Sequence, residues 1–376
     1  MKVALFLGAG ASVPYGKPTT RKLRENLIEK YGDGLGDNFL STLLACPEFE
    51  DVEHILQATK DLTSFNELYG GKFLSWLGNQ SRLVIGLTSG NHKYPEFVEN
   101  LKKIKNTFEN EVFENYSWDH NADQTVNTLF PPLLNFLQSK SDKITIFTTN
   151  YDRAVEEYCS RDDNNFFCVD GFKHHEYSGR NIWNNGDNLY ADLIPNKTDV
   201  FLYKLHGSLN WKKHKRYGIE RTTYERKPND PNYEEDFLIY PTLSPKDEAN
   251  GREPYKTILK QFEEIMNNVD ACIVVGFSFR DEHINDILSK FTDKGKILIA
   301  ISPHCITDFR TRILHHEPTK EDFKKWEEME SVTLTMEDGK DKSIGWQIHL
   351  IRKKFQADTI KDIIHQIEKI LEQTKH

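Results

Sequence analysis

The chain has few cysteines and no pattern among them. Five occur in 376 residues, at 46, 159, 168, 272 and 305, and no two form a Cys-x-x-Cys pair. That excludes a disulfide framework and a cysteine-built zinc site, and it suits a reducing compartment. A cytoplasmic protein with no metal is expected. No apolar run approaches the ~18 residues of a membrane span, so no membrane association is expected. Positive charge is in deficit: 49 Lys plus Arg against 58 Asp plus Glu give a net charge of −9. Such a balance argues against direct nucleic-acid binding. There is no Walker A loop, no repeat of 20–50 residues and no low-complexity tract. The apolar start MKVALFL has one lysine and flows straight into a glycine-rich turn, so it is not read as a signal peptide. At 38% hydrophobic and 28% charged residues, the rest reads as an ordinary globular chain. Its length allows two to three units, or one large domain with an insertion.

What is present is a series of short apolar, β-branched-rich runs, at 3–7, 144–147, 200–205, 237–240, 271–275, 297–301 and 347–351. Most do not alternate with polar residues. That is the pattern of strands buried on both faces, as in a parallel sheet. Near the C-terminus Ile360, Ile363, Ile364, Ile367, Ile370 and Leu371 recur at helical spacing, predicting a helix with one face on the sheet. Between 31 and 125 no strong strand run appears, whereas Leu40, Leu43, Leu44, Val52, Ile55 and Leu56 repeat at helical spacing. The expected fold is therefore α/β: a Rossmann-like, doubly wound, mostly parallel sheet over 1–30 and 126–376, with 31–125 as a helical insertion lobe. The polar segment 212–236 reads as an excursion or hairpin, and 336–343 as a turn between strands.

The strand runs end in polar or glycine residues. The first runs into Gly8-Ala9-Gly10-Ala11-Ser12, a turn that lets backbone N–H groups approach a phosphate. The strict dinucleotide fingerprint is not met, because Val13 stands where its third glycine would fall. The run 144–147 leads to Thr148-Thr149-Asn150-Tyr151-Asp152, the run 200–205 to His206-Gly207-Ser208, the run 271–275 to Gly276-Phe277-Ser278, and the run 297–301 to Ser302. Thr149 or Asn150 could equally cap a helix. A histidine titrates near neutrality and can serve as a general base. In an open parallel sheet the carboxyl ends of the strands meet on one edge, where ligands bind. A nucleotide cleft is the reading that accounts for all five strand ends at once.

These residues resemble the sirtuin superfamily, and in particular its divergent bacterial sirtuin-like branch. The resemblance rests on Gly8–Ser12, Thr148–Asp152, Leu205–Ser208 and Gly276–Ser278, in the family's order over nearly 300 residues. It implies that Gly8, Ala9, Gly10 and Ser12 hold the NAD pyrophosphate, with Gly276, Ser278, Ser302 and Thr149 completing the cofactor site. It implies that Asn150 and His206 line the nicotinamide-ribose pocket as catalytic residues and that Asp152 supports it. The paired zinc cysteines and the Pro-Phe-Arg element of protein-deacylating sirtuins are both missing, which turns the expectation away from deacylation. The stretch 49–56 resembles the helical lobe of bacterial antiviral sirtuin-like proteins, which destroy NAD when a phage is sensed.

The implied activity is an NAD glycohydrolase, with NAD as substrate and nicotinamide plus ADP-ribose, or its cyclic form, as products. The implied setting is abortive antiphage defence. No sensor domain is readable, so the resemblance implies a homo-oligomer whose trigger comes from a partner such as a HerA-type hexameric ATPase. Two other outcomes stay open at this stage: a non-catalytic NAD or ADP-ribose sensor or scaffold, and a protein deacylase or ADP-ribosyltransferase.

Overall fold

The computed structural model describes residues 1–31, 52, 94–184, 197–223, 225, 232–238, 252–310, 329–337 and 345–374. Thirteen strands are present among them. In chain order they are β1 (Val3–Leu7), β2 (Lys143–Thr148), β3 (Phe166–Val169), β4 (Phe172–His175), β5 (Arg180–Trp183), β6 (Thr198–Lys204), β7 (Gly207–His214), β8 (Gly218–Arg221), β9 (Tyr233–Leu238), β10 (Ala271–Val275), β11 (Ile297–Ile301), β12 (Ser331–Glu337) and β13 (Gly345–Ile351).

Eight of them form one sheet in the order β12-β13-β11-β10-β1-β2-β6-β3. Every neighbouring pair in it is parallel except β12 against β13. The central strands β1, β10 and β11 are buried along their whole length. This is why their sequences show no polar alternation. One face carries helices Tyr255–Met266, Glu282–Asp293 and Cys305–Arg310, which share a core with Phe6, Phe147, Tyr203 and Val274. The other carries Asp123–Gln138, Ala154–Cys159 and Ile360–Gln373, packed on Leu5, Ile146, Leu202 and Ile273. Helices on both faces of a mostly parallel sheet make this the expected mixed α/β, Rossmann-type architecture. The C-terminal helix turns Ile360, Ile363, Ile367 and Leu371 inward, with Ile364 and Ile370 at the margin.

One expectation needs correction. The apolar run 237–240 was expected to belong with the buried parallel strands. Instead β9 lies in a separate five-stranded antiparallel sheet, β4-β5-β8-β7-β9, pairing with β7. A short apolar run does not encode the direction of its partner, and here the partner is a hairpin arm. The segment 212–236 does contain that hairpin: Lys212, Lys213 and His214 of β7 pair with Glu220, Ile219 and Gly218 of β8. The polar stretch read as a turn at 336–343 separates β12 from β13, and its residues 338–343 lie outside those described.

Most of the segment 31–125 also lies outside the described residues, including the stretch 49–56 apart from Val52. Its last part is helical, over Tyr94–Tyr116. Ile104, Phe108, Val112 and Tyr116 of that helix share a cluster with Leu23 and Leu27 of helix Thr20–Tyr31, and with Tyr151 and Leu209. The latter two follow β2 and β6 closely, so this helix is anchored near the carboxyl ends of those strands.

One buried histidine makes the sheet itself acid-sensitive. His349 on β13 bonds Thr333 Oγ1 through Nδ1 at 3.0 Å, and burial lowers its pKa to about 4. An unfolded histidine binds its proton near pH ~6.5. Between those values the unfolded chain binds more protons than the native one, so stability rises with pH across that window. Thermal melts at steps from pH 4.5 to 7 are expected to show this slope, and His349→Gln is expected to flatten it.

Candidate functional site

Register places the ends of five parallel strands on one edge. Leu7 stands beside Val275 and Thr148, Val275 beside Ile301, and Thr148 beside Lys204. The main-chain ladder runs on past the strand ends: Thr149 N–H donates to Leu7 O, Leu205 N–H to Thr148 O, and Gly276 N–H to Ile301 O. The loops carrying the predicted residues therefore begin side by side.

The two glycine loops are packed backbone on backbone. Gly8 N–H donates to Val275 O and Gly10 N–H to Gly276 O, both at 2.8 Å. A Cβ on Gly8 would lie 2.6 Å from Phe277 Cα, and one on Gly10 2.8 Å from Gly276 Cα. Gly276 has φ +64°, and a Cβ there would meet the Ala11 nitrogen at 2.3 Å. Gly276→Ala is expected to cost about 1–3 kcal/mol, from the left-handed backbone and the clash together. Urea unfolding measures it, and an unchanged midpoint would rule this packing out. The turn 8–12 offers a phosphate less than its sequence implies. Four of its five N–H groups, those of Gly8, Gly10, Ala11 and Ser12, are spent on main-chain acceptors. Ala9 has none among the described residues.

Asn150, Ser12 and Asp152 form one buried network. Asn150 Nδ2 donates to Gly8 O at 2.9 Å and to Ser12 Oγ at 2.8 Å. Because a carbonyl oxygen only accepts, these bonds fix which end of the amide is nitrogen. Both amide hydrogens are thus committed, and the Asn150 carbonyl Oδ1 has no partner among the described residues. Ser12 Oγ donates to Asp152 Oδ2 at 2.6 Å, and the Tyr15 hydroxyl stands 2.8 Å from the same Ser12 oxygen. Asp152 Oδ1 takes the Ala154 N–H at the start of helix Ala154–Cys159. Burial, reinforced by the charge of Asp152, holds the Tyr15 phenol well above its ordinary pKa. It therefore stays a neutral member of the network.

A lysine that the sequence reading passed over supports this loop from beneath. Lys204, the last residue of β6, is among the largest fully buried side chains. Its ammonium donates to the carbonyls of Tyr151 and Asp152 and to Glu156 Oε1 at 3.0 Å. A lysine closing an otherwise apolar run was the signal available. From the antiparallel sheet side, Glu225 receives the Trp118 N–H at 3.1 Å and Arg153 Nη1 at 3.0 Å. That ties the segment following β8 to residues flanking the same edge.

His206 is joined to a second residue missing from the expected set. Its Nε2 lies 2.9 Å from Asp281 Oδ2, and both side chains are almost wholly buried. The other oxygen of Asp281 accepts the N–H groups of His283 and Ile284, capping helix Glu282–Asp293. Burial alone would raise the Asp281 carboxyl. The bond to His206 and its charge, the Ile284 N–H and His283 outweigh burial and hold it below its ordinary value. Its contribution to stability is present above about pH 4, the range of a free carboxyl, and is lost as pH falls through the depressed folded value.

The remaining expected residues stand on the same edge without direct bonds to this network. Ser278 is half-buried in the loop after β10. Thr149 donates its backbone N–H to Leu7 O, in the sheet ladder and not in the network. Ser302 Oγ accepts the His304 N–H, an ordinary helix-start bond. Among the described residues no group of three His, Cys, Asp or Glu could hold a metal, and no helix is long and apolar enough to cross a membrane.

Similar solved structures include a Sir2 homologue in complex with ADP ribose, at 13% identity and a TM-score of 0.41, covering 99% of this chain and 93% of that chain. Another is a Sir2 homologue in complex with NAD, at 13% identity and a TM-score of 0.40, covering 98% and 90%. No curated protein matches the chain. The family described as "SIR2-like domain" matches residues 144–334. That match spans half of the chain and takes in the loops bearing Asn150, His206, Gly276, Ser278, Asp281 and Ser302, and on it the protein belongs to the SIR2-like family.

Proposed function

We propose that the protein cleaves NAD at the bond between nicotinamide and ribose. The observation that carries this reading is the pair of acceptors at neighbouring strand ends. Asn150 has spent both of its N–H groups inside the protein, which leaves its carbonyl oxygen. His206 has Nε2 engaged by Asp281, which leaves Nδ1. Two acceptors beside small, glycine-lined loops suit O–H donors: a ribose hydroxyl and an incoming water. The fit to a phosphate rests on Ala9 N–H, with Ser278, Thr149 and Ser302 available at the flanks; the missing side chains of Gly8 and Gly10 serve the packing against the Gly276 loop. Asp152 holds Ser12 and, through it, Asn150.

In the step itself the bond from ribose C1′ to the nicotinamide nitrogen breaks, and the electron pair leaves with nicotinamide. The nicotinamide departs from a cation, so no acid is needed to protonate it. The transition state resembles that of glycoside cleavage, with positive charge on the ribose. Asn150 Oδ1 orients a hydroxyl or the water, and His206 Nδ1 accepts the proton as the water oxygen bonds to C1′. Attack by an adenine nitrogen in place of water would give cyclic ADP-ribose.

The wider reading is that 1–30 and 126–376 form the NAD-binding domain, with 31–125 as a lobe beside it. It is also that the chain works in the cytoplasm as a homo-oligomer that depletes NAD in antiphage defence, coupled to a HerA-type hexameric ATPase. An enzyme that consumes a central cofactor must be held inactive at rest, and repeated subunit contacts can supply that control. The test is incubation with NAD, alone and with such an ATPase, followed by chromatographic separation of products and measurement of native mass. Nicotinamide with linear or cyclic ADP-ribose supports the reading. NAD left intact under every condition would refute it, as would consumption only in the presence of an acylated peptide.

A further inference from the structure

We propose that Asp281 is the positioning residue of the candidate base, fixing His206 as the Nε2-protonated tautomer and so presenting Nδ1 as the proton acceptor. The proposal rests on the reading of His206 as a base in NAD cleavage and adds a residue to it.

The geometry is unusual for two loops of this sheet. His206 follows β6 and Asp281 follows β10, and β1 and β2 lie between those strands. At ~4.8 Å per strand the strand ends are about 14 Å apart. Yet Nε2 and Oδ2 meet at 2.9 Å. The pair therefore arches over the carboxyl ends of β1 and β2, where the Gly8 turn and the Asn150 loop begin. Chance contact between exposed loops does not produce this, because Asp281 is held from several directions. Its Oδ1 caps helix Glu282–Asp293 through His283 N–H at 3.1 Å and Ile284 N–H at 3.3 Å. The chain entering it is bent at Phe279, whose φ of +53° is the one positive value on a non-glycine among the described residues. Phe279 is fully buried, its ring against Phe277 and Phe309, and its carbonyl takes Asn285 Nδ2 at 2.6 Å. A bulky residue held in the left-handed region marks a loop whose course is set by its surroundings.

The chemistry follows from donor and acceptor roles. An ionised carboxylate only accepts, so Nε2 must carry the hydrogen. In the neutral ring Nδ1 then has the lone pair. The two nitrogens point to opposite sides of the ring, so Nδ1 faces away from Asp281. When Nδ1 takes the water or ribose proton, the ring becomes a cation. Asp281, still ionised, stabilises it without accepting a proton itself. His283, in the first turn of the capped helix, also acts on Asp281 by its charge, and Arg280 and Glu282 flank it in the chain.

Asp281→Asn separates this role from capping, because asparagine caps helices about as well as aspartate. The first measurement needs no variant. In protein labelled with ¹⁵N-histidine, the His206 signals are identified by their loss in His206→Ala. They are expected to show a protonated Nε2 and a bare Nδ1 at neutral to mildly alkaline pH. The opposite tautomer would overturn the proposal. In Asp281→Asn, with the melting temperature close to that of the parent, the His206 signals are expected to lose the preference for a protonated Nε2 and to show both tautomers. The kcat for NAD is expected to fall ~10- to 10³-fold with KM little changed, below the loss of about 10⁴-fold that the same change causes in protease triads. A purely structural residue would leave the tautomer and the rate where they were, and that result would also overturn the proposal. Full activity in His206→Ala would instead remove the proposed reaction mechanism, so the two failures are distinguishable.

Discussion

His206→Ala is expected to lower the rate of NAD cleavage by about 10²–10⁴-fold, the range for removal of a general base, while the protein stays folded. Truncating the ring removes Nδ1 and leaves Asp281 with its two cap bonds from His283 and Ile284. His206 follows the sheet rather than lying within its apolar layers, so the core does not depend on it. Asn150→Ala is expected to lose activity to a similar degree for a different reason. The Asn150 amide joins Gly8 to Ser12, so its loss removes an acceptor and also frees the glycine turn. That variant should therefore lose some stability, about 1–2 kcal/mol for two buried bonds, and His206→Ala, which gives up one bond to a carboxylate, should lose a comparable amount. Both are read in one experiment: NAD consumption against time, beside urea unfolding. Undiminished turnover in the histidine variant would exclude His206 as the base. Equal unfolding midpoints for the asparagine variant and the parent would exclude the stapling role of Asn150.

The sequence made the parallel sheet legible because burial on both faces removes alternation. Runs such as 271–275 and 297–301 contain nothing but apolar residues, and both are strands throughout. The antiparallel sheet was illegible for the opposite reason. Its strands Phe172–His175, Arg180–Trp183 and Gly218–Arg221 are four residues long and dense in charge. Their pairing is set by partners such as Arg180 with Glu220, 40 residues apart and joined at 2.6 Å. At the candidate site, strand-end chemistry pointed to the Gly8, Asn150, His206 and Gly276 loops, which the register does bring to one edge. It could not show that the glycines serve loop-on-loop packing, because that depends on Gly10 meeting Gly276 across the sheet. Nor could it pair His206 with Asp281: an aspartate before a helix reads as a cap, and here it is a cap with its second oxygen used elsewhere.

Lys204→Met is expected to be among the most destabilising single changes in the chain, at about 3–5 kcal/mol, the cost of breaking a buried ion pair from one side. The lysine is 1% exposed and its partner Glu156 has a side chain only 11% exposed. Methionine fills the space but leaves that carboxylate beside an apolar side chain, and it takes the ammonium away from the carbonyls of Tyr151 and Asp152, the first of which keeps the Leu209 N–H and the Ser208 hydroxyl. Ser208 Oγ, 3.4 Å from the Tyr151 oxygen, cannot replace an ammonium. The damage should reach activity as well, because Lys204 grips the carbonyl of Asp152 itself and that of Tyr151, the neighbour of Asn150. A double-mutant cycle separates charge from carbonyl support. Adding Glu156→Gln to Lys204→Met removes the unpaired charge and should recover part of the lost stability, with a coupling energy of about 1–3 kcal/mol. It should recover little of the NAD-cleaving rate, since the ammonium that grips both carbonyls is still missing. If Lys204→Met melted with the parent, the buried lysine would have no part in holding this loop. If the double variant restored the rate as fully as the stability, the ion pair alone, and not the grip on the Tyr151 and Asp152 carbonyls, would be what keeps Asn150 in place.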